Sequence, residues 1–241
     1  VSRTEEGASY PIHCRGTNAA TAADTTLLDE NVEADGHEYF ALGAYDVSPS
    51  HQLLAYAVDF DGSEEYELRF RDLRTGADLP ERIERVYYGT AWAAGSDVLF
   101  YVRPDDQMRP FQIWRHRLGT EVADDVLVVQ EDDERFFVSV ELTRDERMIV
   151  FQADSKTTSE AWFVPADATE QEPIALLGRR DGHEYGADHW TDRWVYLSND
   201  GAEDFQVLVA PDADPTATER LVPHVSGRRI NSADPFAGHL V

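Results

Sequence analysis

Lysine is almost missing from this chain. Lys156 is the only one in 241 residues, and arginine supplies the other basic side chains. Cysteine is as scarce: Cys14 stands alone, so no disulfide can form within the chain and no cysteine zinc site can be assembled. That suits a reducing compartment. No apolar run approaches the roughly 18 residues a membrane helix needs; runs such as Val126-Leu127-Val128-Val129 have strand length. The chain opens on Val1 rather than methionine, so the lack of a leader carries no weight.

Positive charge is the other deficit. Asp and Glu number 47 against 21 Lys and Arg, a net charge of −26. Such a surface repels nucleic-acid phosphates and anionic lipid and attracts cations, so neither nucleic acid nor membrane is an expected partner. A soluble, salt-adapted surface explains most of this charge without any steering role. Hydrophobic residues at 42% and aromatics at 11% exclude a disordered chain and supply a core.

What the sequence does contain is a period. Four apolar segments begin at Leu53, Val98, Met148 and Trp194, spaced by 45, 50 and 46 residues, and Leu240 follows 46 residues later. A polar turn precedes each: Ser48–His51, Ala94–Asp97, Arg144–Arg147 and Thr191–Arg193. A polar hairpin and an alternating strand follow, as in Tyr66–Phe70 and Phe111–Trp114. A fourth strand closes the unit, clearest at Val126–Val129 and Ile174–Leu177. Four antiparallel strands in a repeat of this length predict an all-β fold, a β-propeller of four-stranded blades. The pentapeptide Asp-Gly-His-Glu-Tyr recurs at 35–39 and 181–185, 146 residues apart, each time just before an innermost strand. The expected division is the end of one blade at 1–35, whole blades at 36–85, 86–133, 134–181 and 182–224, and the start of another at 225–241. Tyr10–Arg15 and Thr26–Glu30 read as the third and fourth strands of the first, incomplete blade. Either the chain is an excerpt, or its two partial blades complement each other.

No cofactor or metal is expected. His183 and His189 are the closest histidine pair, six apart, and no His-Glu-x-x-His helix exists. His37 and His183 hold equivalent repeat positions, which favours a structural role. Asp59–Glu65 has a calcium-loop look but lacks the ligand spacing through to a bidentate glutamate, so a solvated hairpin explains it better. Trp92, Trp114, Trp162, Trp190 and Trp194 fall on strands and do not interleave with basic runs, which points to packing rather than base stacking.

Several segments resemble the oligopeptidase B branch of the prolyl oligopeptidase family. They are Arg3–Gly7 with Tyr10-Pro11-Ile12, Gly36–Gly43, Trp114–Thr120, Thr157–Glu160 and Ser198–Gly201, in order over essentially the whole chain. The resemblance implies a cytoplasmic serine peptidase in which a seven-bladed propeller caps an α/β-hydrolase domain. That domain, part of the same polypeptide, would cut short basic peptides after Arg or Lys, and the propeller would admit them by size. The family's nucleophile sits in a Gly-x-Ser-x-Gly elbow, where a strained turn exposes the serine to its histidine base. This chain has no such motif, so no catalytic residue is assigned and the chain alone is expected to be inactive. The alternative is a free-standing propeller that binds a partner, closed by its two partial blades.

One repeat column bears on substrate admission. Asp46, Ala91 and Glu141 lie seven residues before Leu53, Val98 and Met148; Asp188 and Asp234 lie six before Trp194 and Leu240. Four of these five positions are carboxylates on the predicted innermost strands. They are expected either to cap the turns that follow or to line a channel with negative charge: Asp46, Glu141, Asp188 and Asp234.

Overall fold

A strand free of polar side chains is stable in a sheet only where both of its edges are hydrogen-bonded and both faces covered, and the four apolar segments occupy such places. The computed structural model describes residues 1–18 and 20–241, in two units, Val1–Tyr88 and Gly89–Val241.

The first unit opens with a three-stranded antiparallel sheet of β1 (Ser2–Arg3), β2 (Ile12–Arg15) and β3 (Thr25–Asp29), in that order. Glu30 was expected to end β3; instead it begins a single helical turn, α1 (Glu30–Glu33), because the Asp29 carboxylate accepts from the Asn31 amide and caps it. A four-stranded antiparallel sheet follows: β4 (Ala41–Val47), β5 (Leu53–Asp59), β6 (Tyr66–Asp72) and β7 (Ala77–Val86). Leu28, Phe40, Leu54, Tyr56 and Val58 form this unit's core.

The second unit repeats that sheet three times, always in sequential order. Its first sheet holds β8 (Thr90–Trp92), β9 (Val98–Pro104), β10 (Pro110–Arg117) and β11 (Val126–Gln130). The next holds β12 (Phe137–Leu142), β13 (Met148–Asp154), β14 (Ser159–Pro165) and β15 (Ile174–Ala175). The last holds β16 (Tyr185–Trp190), β17 (Arg193–Ser198), β18 (Gln206–Pro211) and β19 (Glu219–Val222). A short hairpin of β20 (Pro235–Phe236) and β21 (His239–Leu240) ends the chain. Strand β15 is shorter than the four residues read from Ile174–Leu177: Leu176 still donates to the Ala161 carbonyl, but its side chain turns into the core.

The apolar strands β5, β9, β13 and β17 are second in their sheets and buried along most of their length. Their fourth residues, Tyr56, Tyr101, Phe151 and Tyr196, are all fully buried rings. Three of them carry a hydroxyl that must find an acceptor. Tyr56 donates to Asp78 at 2.7 Å, Tyr101 to Asp125 at 2.8 Å and Tyr196 to the Pro215 carbonyl at 2.9 Å. Burial pushes all three phenols well above their ordinary range. The outermost strands have one free edge and leave apolar side chains exposed, among them Val126, Leu127, Ile174, Leu221 and Val222.

The hairpins between first and second strands share one backbone solution. Ser48, Ala93 and Thr143 each donate to the carbonyl five residues on, and the residue two before the second strand takes a positive φ: His51 at 58°, Ser96 at 60° and Glu146 at 60°. In the fourth sheet Trp190 pairs with Arg193, so the loop is two residues shorter where the spacing predicted one, and Thr191 carries the positive φ of 64°. None of the four is glycine, although this region costs an L-residue roughly 1–2 kcal/mol. Glu146→Gly should therefore raise stability by about 0.5–1 kcal/mol, net of the extra freedom glycine has when unfolded. Urea midpoints of the two proteins check this; a lower midpoint would mean that the exposed Glu146 side chain contributes something of its own.

Candidate functional site

The strand register places the carboxylate column on equivalent backbone positions. Asp46 pairs with Ala55, Ala91 with Phe100, Glu141 with Val150 and Asp188 with Val195. Asp234 exchanges both backbone hydrogen bonds with Val241, at 2.9 and 3.0 Å. Each member is thus opposite the second strand near its start, on the first strand of its sheet or, for Asp234, directly before β20. Asp46 is half-buried on β4 in the first unit.

In the second unit, Glu141, Asp188 and Asp234 line a single cavity of about 280 Å³ with Ser139, Arg144 and Gln152. The sequence reading missed Arg144. Its backbone amide donates to Asp188 at 3.1 Å, and its guanidinium donates to Asp234 at 2.9 Å while lying 4.8 Å from the centre of the Phe236 ring. Burial raises the Asp188 carboxyl above its usual range, and the amides of Arg144 and His189 partly offset that. Glu141 is exposed to solvent. The site thus holds three carboxylates against one guanidinium, a formal charge of −2 (3 acidic, 1 basic).

The turn-capping oxygens lie further along the chain. Ser48 Oγ accepts from the Leu53 amide at 3.1 Å, and Thr143 Oγ1 accepts from Met148 at 3.0 Å. Asp188 instead ties its sheet to the preceding one, and Asp234 ties the terminal hairpin to the same arginine.

The other candidates resolve into structure. Asp59 accepts from the Asp61, Gly62 and Glu64 amides, each at 2.9 Å, so its carboxylate shapes the hairpin. Among the described residues no group of three or more His, Cys, Asp or Glu side chains could hold a metal ion. His37 stacks on Phe60 with ring centres 3.8 Å apart. His183 is buried; Arg180 donates to its Nδ1 at 3.0 Å, so its Nε2–H donates to Ser198 Oγ at 2.9 Å. Burial first, then the Arg180 charge, hold its pKa below the usual histidine value. The Thr157–Glu160 segment fastens one sheet to the next. Thr158 Oγ1 accepts from Gly182 at 3.0 Å, Ser159 donates to the His183 carbonyl at 2.8 Å, and the Tyr185 hydroxyl accepts from Ala161 at 2.8 Å. Asn199 closes the same junction, accepting from the Glu184 amide and donating to the Gly182 carbonyl.

Residues 1–241 match the family model described as prolyl oligopeptidase, N-terminal beta-propeller domain. The chain belongs to the prolyl oligopeptidase family, as its N-terminal β-propeller domain. Its four-stranded sheets are the blades of that propeller. It is similar to Protease 2 of Moraxella lacunata, with 33% identity over all of this chain and 36% of the relative. It is also similar to dipeptidyl aminopeptidase BI of Pseudoxanthomonas mexicana, with 34% identity over 87% of this chain and 31% of the relative. Among solved structures, oligopeptidase B from Trypanosoma brucei with covalently bound antipain, in its closed form, superposes with a TM-score of 0.88. That match has 27% identity and covers 98% of this chain and 34% of the other. The prolyl oligopeptidase propeller therefore spans about a third of the length of the relatives it matches, and no helix among its described residues is long and apolar enough to cross a membrane.

Proposed function

We propose that this propeller is the gating, substrate-admitting domain of a serine oligopeptidase that hydrolyses short peptides after Arg or Lys. The observation that carries the reading is similarity over the whole chain to oligopeptidase B and Protease 2, with no nucleophile elbow in this chain. An α/β-hydrolase domain of the same polypeptide supplies the triad, and the propeller keeps folded proteins from it. The blades assigned are 36–85, 86–133, 134–181 and 182–224, flanked by partial blades at 1–35 and 225–241.

Within that frame, the column of Asp46, Glu141, Asp188 and Asp234 faces the peptide's route and favours cationic peptides. A low-dielectric wall focuses such a field and raises association rates of cationic ligands by about 10–10³ at low salt. Neutralising Asp46, Glu141 and Asp188 together, by Asn, Gln and Asn, should lower kcat/KM for a dibasic peptide roughly tenfold at low ionic strength. A neutral-flanked peptide should change little, and the salt dependence of the dibasic one should flatten. If both peptides keep their ratio at every salt concentration, the column only ties blades together. The intact mass of the natural polypeptide separates this reading from a free-standing binding module.

A further inference from the structure

His189 lies on β16 at the seam between the sheet of β12–β15 and that of β16–β19, with no exposed surface. Its Nδ1 is 2.6 Å from Asp145 Oδ2, on the turn between β12 and β13, and its Nε2 is 2.8 Å from Asp212 Oδ1, just past β18. A neutral imidazole has one N–H and one lone pair, and a carboxylate can only accept. A neutral ring would therefore press its lone pair against one of the two carboxylates. With both aspartates ionised, only a ring protonated on both nitrogens satisfies both contacts.

We infer that His189 is a buried imidazolium, a strap between two blades whose hold depends on one proton. The other charged groups around it agree with this assignment. Asp192, on the adjoining turn, pairs with Arg193 at 3.0 Å, and Asp188 accepts from the His189 and Arg144 amides. The Arg147 guanidinium is turned to the Thr191 carbonyl, and the Trp194 ring meets the imidazole edge-on at 5.3 Å. Among the described residues, the groups bonded to the ring are the Asp145 and Asp212 carboxylates. Asp145 is the hub: its carboxylate also accepts from Thr143 Oγ1 and from the Arg147 and Thr191 amides. Burial works against that carboxylate, yet the bonds from His189 and Thr143 hold its pKa below the usual range.

The links described at this end of the seam run between residues 144–147 and the β16–β17 hairpin or its flank. Besides the imidazole they are Thr191 N to Asp145, Arg144 N to Asp188, and Arg147 to the Thr191 carbonyl. Taking the ring proton away leaves two carboxylates facing one N–H and one lone pair. The seam beside the acidic cavity is then held by fewer bonds and opens more often, so loss of that one proton loosens one blade junction selectively.

The natural polypeptide carrying this chain, ¹⁵N-labelled only at histidine, tests the charge directly. At neutral pH both ring nitrogens of His189 should show bonded protons, and a single protonated nitrogen would overturn the inference. Asp212→Asn supplies an independent sign. Beside an imidazolium it removes a charge partner, so amide exchange at Arg144 and Thr191 should speed up at least about tenfold. Beside a neutral ring the new amide would donate to the bare nitrogen, and exchange would stay the same or slow, which would also overturn the inference. In the unsubstituted protein, protection of those two amides, corrected for intrinsic rates, should fall at the pH where the ring signal changes.

Discussion

Replacing Arg71 by alanine should lower the unfolding free energy by about 3–5 kcal/mol, the usual loss when one partner of a buried ionic network is removed. Arg71 reaches across β6 in the first unit. It donates to Glu33 at 2.7 Å, to Asp78 at 2.7 Å and to the Tyr56 hydroxyl at 3.0 Å, and it lies 4.9 Å from the Tyr56 ring centre. Glu33 and Asp78 are both largely shielded from water, so the substitution strands two carboxylates and a phenol together. Arg69 and Arg82 stand by at 3.9 and 3.6 Å and are too distant to replace three charge-assisted bonds. Arg71→Lys should recover only part of the loss, because an ammonium cannot reproduce the planar fork. Urea unfolding of the three proteins decides the matter. A change below about 1 kcal/mol for the alanine variant would place the network with ordinary surface pairs.

Trp194→Ala should cost a similar amount, about 3–5 kcal/mol, by leaving a cavity that its neighbours cannot close. The side chain is fully buried in a cluster with Val150, Phe163, Leu176, Tyr185 and Tyr196. Its ring centre is 4.6 Å from that of Phe163 and 5.3 Å from His189, so the substitution also unseats the strap at the blade seam. Trp194→Phe keeps most of the volume and should lose much less. Far-ultraviolet circular dichroism during denaturation is the suitable measurement, since the substitution changes fluorescence by itself. Equal stability of the alanine and parent proteins would show that the cluster does not hold this seam.

The second strands were legible because a fully buried strand needs four or more consecutive apolar residues, and such runs are rare in a chain this acidic. The carboxylate column was legible for a related reason: strand register fixes the offset between Asp46 and Leu53, or Glu141 and Met148, whatever the loops do elsewhere. The shorter turn before β17 could be read from Asp188 alone. Strand β1 could not, since two residues held only by Ser2↔His13 and Arg3↔Ile12 pairing have no periodicity to detect. Arg144 and His189 were missed for a different reason. Asp145 and His189 lie 44 residues apart, and Arg144 and Asp234 lie 90 apart, so no local pattern announces either contact. A signal did exist in the turn itself: Thr143 and Asp145 flank Arg144 where the corresponding residues of the first unit are Ser48 and Ser50. An ionisable side chain had replaced a hydroxyl at a repeated position.

The exposed outer strands of the blades give the excess acid a second meaning, one of location rather than amount. An outer strand such as β11 offers a row of unpaired backbone groups with Val126 and Leu127 beside them, the ordinary template for edge-to-edge aggregation. Its exposed flanks carry Asp124 on one side and Asp132 and Glu134 on the other. A second copy adding itself antiparallel would bring the first flank of one molecule over the last flank of the other, carboxylate against carboxylate at both ends of the ladder. These residues act as gatekeepers, and they let a propeller keep apolar rims without sticking to its own kind.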